Sequence, residues 1–200
     1  MTVAGRCWSI WIRRRSSLAP RYRFGKVQDE YGAESFEARL YFRRLIHPRG
    51  APLSVVIDAT YDEVIALPIR ERPLLYDYSD AADFGTVTVR AYGLEEIAAE
   101  KLRGLLFQRV NPSPRDAYDL WYLWTHASLD WDQVVQVFPR KCAGRGISVD
   151  VSWPDVLEQR ASAVHGVWES TLSGLIGTYP PFEEGWHWIS QLVDRLSRTR

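Results

Sequence analysis

The sequence predicts an α+β protein, a small sheet followed by a helical carboxy-terminal half. Three observations carry that expectation. Between residues 37 and 92 apolar side chains recur with period two, the spacing of half-buried strands. After Gly93 the period changes to 3.6 and stays there. The 200 residues, 46% hydrophobic and 25% charged, have an ordinary globular composition and suffice for one or two domains with a sizeable core. Strands first and helices later is the α+β order.

The elements follow in turn. Residues 1–24 carry six arginines and no acid, with no apolar stretch after the basic cluster, so they do not read as a secretory signal. We expect a basic leader outside the packed core. In residues 37–45, Ala38, Leu40 and Phe42 alternate with Arg39, Tyr41 and Arg43, the pattern of a strand. His47-Pro48-Arg49-Gly50 reads as a turn. Residues 53–60 and 86–92 read as two further strands, and the Pro- and Tyr-rich stretch between them as irregular. Residues 94–109 read as a helix ended by Asn111-Pro112-Ser113-Pro114. A second helix follows over 114–126, with Ser113 as N-cap and Pro114 in the first position, where each is favoured. Residues 131–138, 154–176 and 182–198 complete the helical half. The expected segments are therefore 1–24, a sheet over 25–93, and helices over 94–200.

Composition narrows the function classes. Lys plus Arg equals Asp plus Glu at 25 each, so the overall charge makes no case for a nucleic-acid partner. Two cysteines are too few for a disulfide framework and fit a reducing, cytoplasmic setting. The four histidines lack metal-site spacing, and no apolar run is long enough to span a bilayer. We expect no membrane partner.

Three polar residues stand in or beside apolar stretches. On a wheel advancing about 100° per residue, Leu94, Ile97, Ala98, Leu102 and Leu105 form one arc, and Lys101 falls inside it. An ammonium there either snorkels to water or serves a polar cleft. Glu95, Glu96, Glu100 and Arg103 lie outside the arc's centre. Asp116 flanks the apolar arc of the next helix and, as a cleft carboxylate, would face Lys101 across the turn. It reads as a first-turn acid in a capping box with Ser113, as a cleft carboxylate, or as both. Asp58, near the end of a largely apolar strand, reads either as a metal or base carboxylate or as a solvent-facing aspartate. We expect Lys101, Asp116 and Asp58 to converge on one cleft.

The run from Tyr92 through Glu95-Glu96-Ile97 and Ala99-Glu100-Lys101-Leu102 to Leu106, then Arg115-Asp116-Ala117-Tyr118-Asp119-Leu120, resembles the signature of the AbiEii/AbiGii toxin family. Val56-Ile57-Asp58 upstream, Phe138-Pro139-Arg140-Lys141-Cys142 with Gly146-Ile147, and Trp168-Glu169 with Leu172 extend the resemblance from about residue 31 to the end. It implies a polymerase-beta-type nucleotidyltransferase fold with a small mixed sheet, and the toxin role in a toxin–antitoxin or phage-defence pair. It further implies transfer of a nucleotide from a nucleoside triphosphate to an acceptor such as tRNA, with Mg²⁺ or Mn²⁺ and a cognate antitoxin encoded nearby. By the same resemblance Lys101 holds the triphosphate, Arg115 adjoins it, Asp116 is the late catalytic aspartate, and Asp58 completes the metal site.

The sequence departs from the family pattern ahead of Asp58. The Gly-Ser or Gly-Gly-Thr helix start and the Asp-x-Asp strand that the family places first are not found ahead of Asp58. The one Asp-x-Asp, Asp130-Trp131-Asp132, comes after the helical signature and reads as a helix cap. The position two before Asp58, often lysine in the family, is Val56. We therefore expect an incomplete sheet, an amino-terminally truncated or mis-started catalytic unit, and impaired activity. The alternative is a non-catalytic module that engages an antitoxin or RNA.

Overall fold

The computed structural model describes residues 21–28, 34–42, 51–60, 63–75, 79, 83 and 85–199. The expected turn at 47–50 and the leader up to residue 20 lie outside them. The chain forms two compact units, Met1–Glu63 and Val64–Arg200.

In the first unit β1 (Arg21–Gln28), β2 (Glu34–Phe42) and β3 (Leu53–Thr60) make an antiparallel sheet in the order β1-β2-β3. β3 has the bounds read from its period. β2 begins three residues ahead of the expected 37. β1 takes in residues 21–24, which the sequence reading assigned to the leader; Tyr22 and Phe24 alternate with Arg21 and Arg23, so a strand period sits beneath the arginine count. Register sorts the side chains. Phe24 pairs with Ala38 and Ala38 with Ile57, an apolar row in which the Phe24 ring also stacks on Phe36 at 5.3 Å. Because alternate residues project to opposite faces, Glu37, opposite Asp58, and Arg39, opposite Val56 and Arg23, share the other face.

The second unit opens with a hairpin of β4 (Arg70–Pro73) and β5 (Thr88–Ala91). β4 falls in the stretch read as irregular; four residues ending in proline carry too little period to see. The helices are α1 (Leu94–Arg103), α2 (Pro114–His126), α3 (Trp131–Ala143), α4 (Trp153–His165), α5 (Trp168–Leu172) and α6 (Phe182–Thr199). α1 runs into a π turn, Gly104–Gln108, so the helix expected over 94–109 widens in its last turn. Ser113 caps α2, its hydroxyl accepting from the Arg115 amide at 3.3 Å, with Pro114 in the first turn. Asp130 caps α3, accepting from the Gln133 amide at 3.0 Å, the role read for the Asp130-Trp131-Asp132 triplet. α1 packs against both α2 and α3, and α6 against α2 and α4. Their common core is Leu102, Leu105, Leu106, Leu120, Phe138, Trp153 and Leu192, all essentially dry.

The division at Val64, rather than at Gly93, has a visible cause. The Glu96 carboxylate accepts from the Ala66 and Leu67 amides at 3.0 and 2.8 Å, and Lys141 Nζ donates to the Val64 carbonyl at 2.6 Å. Residues 64–67 are thereby stitched to α1 and α3. A Cβ on Gly144 would run into Val64 Cγ2, so glycine at the end of α3 is what lets the segment lie so close. Glu96 and Arg103, expected off the buried arc of α1, are 0% and 5% exposed, whereas Leu94 is 44% exposed. The wheel misplaced them because α3 covers that side of α1 and brings a lysine to neutralise it.

Candidate functional site

The site is built where α1 turns into α2. Pro114 and the Ser113 cap set the start of α2 and put Asp116 in its first turn, where the helix dipole favours an anion. The Asp116 carboxylate points back across the turn. Its Oδ1 accepts from Lys101 Nζ at 3.1 Å and its Oδ2 from Arg109 Nε at 3.0 Å. Lys101 Nζ also meets Asp119 Oδ2 at 2.7 Å, one turn further along α2. Asp116 is the recessed member, its side chain 8% exposed, while Lys101 and Arg109 are 31% and 32% exposed.

Gly104 makes this approach possible. A Cβ there would stand 2.8 Å from Asp116 Oδ2, so any side chain at the start of the π turn would push the carboxylate away. Lys101 is half in the core and half in this cluster. Burial pulls its ammonium towards neutrality, but the hydrogen bond to Asp119 and the charges of Asp116 and Asp119 outweigh it, and its pKa is raised above the ordinary 10.5. The lysine is thus firmly cationic at neutral pH.

Lys101 and Asp116, singled out in the sequence, are in direct contact. Arg115 is exposed at the start of the same helix. Asp58 belongs to the first unit, exposed on β3 opposite Glu37 and near Arg39. Arg39 in turn holds Glu37 through bonds of 2.6 and 3.1 Å, which keep the Glu37 carboxyl below the usual range. Arg109, the last residue of the expected helix, was missed, because the chain leaves the helix there with extended backbone angles that the helical period does not register. Also missed was the charged knot behind the site. Lys141 Nζ meets Glu96 Oε1 at 2.7 Å and Glu100 Oε1 at 2.6 Å, and Arg103 donates to the Lys141 carbonyl at 3.0 Å and to Gln108 Oε1 at 2.8 Å. Cys142 offers no nucleophile, since burial pushes its thiol up to about 12 against a smaller downward pull from Arg103.

A divalent ion needs several oxygen ligands. Among the described residues no group of three or more His, Cys, Asp or Glu is placed to hold one, and both oxygens of Asp116 already face cations. The described residues do not by themselves fit such an ion.

Small antiparallel sheets and six α-helices among the described residues define an α+β protein of nucleotidyltransferase-like fold. The chain belongs to the AbiEii family: the model of the nucleotidyl transferase AbiEii toxin of type IV toxin–antitoxin systems matches residues 13–190. That family places it among nucleotidyltransferase toxins and implies an antitoxin partner. No curated protein and no solved structure matches the chain. Among the described residues no helix is long and apolar enough to cross a membrane.

Proposed function

We propose that this chain is the nucleotide-handling part of a cytoplasmic toxin that transfers a nucleotide from a nucleoside triphosphate to an acceptor such as the 3′ end of tRNA. The observation that carries the reading is the contact of Lys101 with the buried Asp116 at 3.1 Å, beside Arg109. Lys101 neutralises the charge of the triphosphate from a rigid helix, which needs no reorganisation as charge moves. Arg115, exposed at the start of α2, adds a further positive group. Asp116, released from its cations, is the acceptor-side carboxylate, and Asp58, in the first unit, is the strand carboxylate that the family resemblance would assign to a metal ion. The family's divalent ion, Mg²⁺ or Mn²⁺, would supply charge neutralisation of the kind expected in phosphoryl transfer. That ion's main ligands in the family, an Asp-x-Asp pair on an early strand, are not found ahead of Asp58.

That absence gives the reading its expected result. The 200-residue chain, given Mg²⁺ or Mn²⁺, each labelled triphosphate and total tRNA, should transfer little or nothing. Joined to an upstream Gly-Ser…Asp-x-Asp segment it should label tRNA, and Lys101→Ala and Asp116→Ala should each abolish that labelling. Robust transfer by the unmodified chain, or labelling by the joined protein that survives both substitutions, would overturn the assignment. A second reading, a non-catalytic module that engages the antitoxin or RNA, is favoured by the two cations that occupy both oxygens of Asp116. It predicts binding without labelling in every form.

A further inference from the structure

We propose that Arg109 is a second triphosphate-binding cation, stored on Asp116 until a polyphosphate displaces the carboxylate. The inference rests on the reading of Lys101 as a triphosphate ligand and extends it to a residue outside the signature motifs.

Arg109 is the first residue after the π turn, with extended backbone angles of φ −91° and ψ 134°. The main chain there is anchored from α4. The Arg160 guanidinium donates to the Arg109 carbonyl and, at 3.3 Å, to the Val110 carbonyl. The point from which the Arg109 side chain leaves the backbone is therefore set by a neighbouring helix rather than by a loose loop. Lys101 and Arg109 grip opposite oxygens of one carboxylate at 3.1 and 3.0 Å. The two cations thus flank one carboxylate, and a polyphosphate that displaces it meets both.

The exposures give the arrangement a direction. The two cations reach solvent to about a third, and the anion behind them is 8% exposed. An incoming polyanion meets the cations first. Asp119, paired with Lys101 and 40% exposed, is a further carboxylate it must outcompete. Asp116 acts as an internal counter-ion that satisfies two partly desolvated cations when no ligand is present. A guanidinium offers a planar fork suited to phosphate oxygens, and lysine a point charge, so the pair divides the work of grip and neutralisation. Gly104 keeps the storage position open, since a side chain there would displace Asp116.

The test uses the full 200-residue chain in EDTA, titrated calorimetrically with inorganic triphosphate, with a thermal melt of every variant. Wild type should bind. Lys101→Ala and Arg109→Gln should each weaken binding by about tenfold or more, the worth of a charge-assisted hydrogen bond. Arg109→Lys, which keeps the charge but loses the fork, should fall between, and it decides the matter if the glutamine variant does not fold. Asp116→Asn should bind triphosphate several-fold more tightly, because the stored cations lose their competitor; a merely structural role would weaken binding instead. Absence of binding by wild type, or equal binding by Lys101→Ala, would overturn the triphosphate reading itself. Loss with Lys101→Ala but none with either Arg109 variant would overturn the role of Arg109 alone. Weaker binding by a folded Asp116→Asn would overturn the storage role.

Discussion

Nζ of Lys141 lies 2.7 Å from Oε1 of Glu96, and the two side chains are 0% and 1% exposed. The pair is completed by Glu100, by the Val64 carbonyl and by the amides of Ala66 and Leu67. Removing one member leaves an uncompensated buried charge. Lys141→Met should lower stability by about 3–5 kcal/mol, a fall in melting temperature of roughly 6–20 °C for a chain of this length. Glu96→Gln added to Lys141→Met should cost much less than the sum of the two single changes, since the pair is coupled. Additive losses in a urea-unfolding double-mutant cycle would show that the two charges do not depend on each other.

Gly104→Ala tests the approach of Asp116. Overpacking there should cost about 1–3 kcal/mol, offset by roughly 1 kcal/mol from the better helix propensity of alanine. Gly174, where a Cβ would meet nothing within 4 Å, is the control, and its alanine variant should stay within about 0.5 kcal/mol of wild type. Equal behaviour of the two variants in chemical denaturation would mean that Asp116 yields freely to a methyl group.

The raised pKa of Lys101 makes an alkaline prediction. Because the folded value lies above the ordinary one, the lysine's contribution to stability is fully present below about pH 10.5 and is lost as pH rises through the folded value. The lead of wild type over Lys101→Met should therefore be constant from pH 8 to 10 and shrink above 10.5. A lead that grows with pH in unfolding titrations would mean that burial, not the two aspartates, controls the ammonium.

What the sequence disclosed, and what it hid, follow from range. β3 and the Ser113-Pro114 start of α2 were legible because their signals are local: an alternation of side chains, a cap and a proline. Lys101 was legible because one charge in an apolar arc breaks a pattern. Glu96 was not, since its burial depends on Lys141, 45 residues away. Arg109 escaped because its partner is set by the π turn, an irregularity that a helical wheel cannot register. β1 escaped because six arginines drew attention to charge when its last residues also carried a strand period. Asp58 was legible as a strand residue through the same local alternation.

The stitching of residues 64–67 to α1 and α3 bears on how the chain can be divided. Cutting at Gly93, where the hydrophobic period changes, would strip Glu96 of two amide donors and Lys141 of a carbonyl, leaving their charges at a raw edge. Cutting ahead of Val64 keeps all three. A helical half produced on its own should start at residue 64 or earlier, and the short strip before the hairpin belongs with the helices as a hem belongs with its cloth.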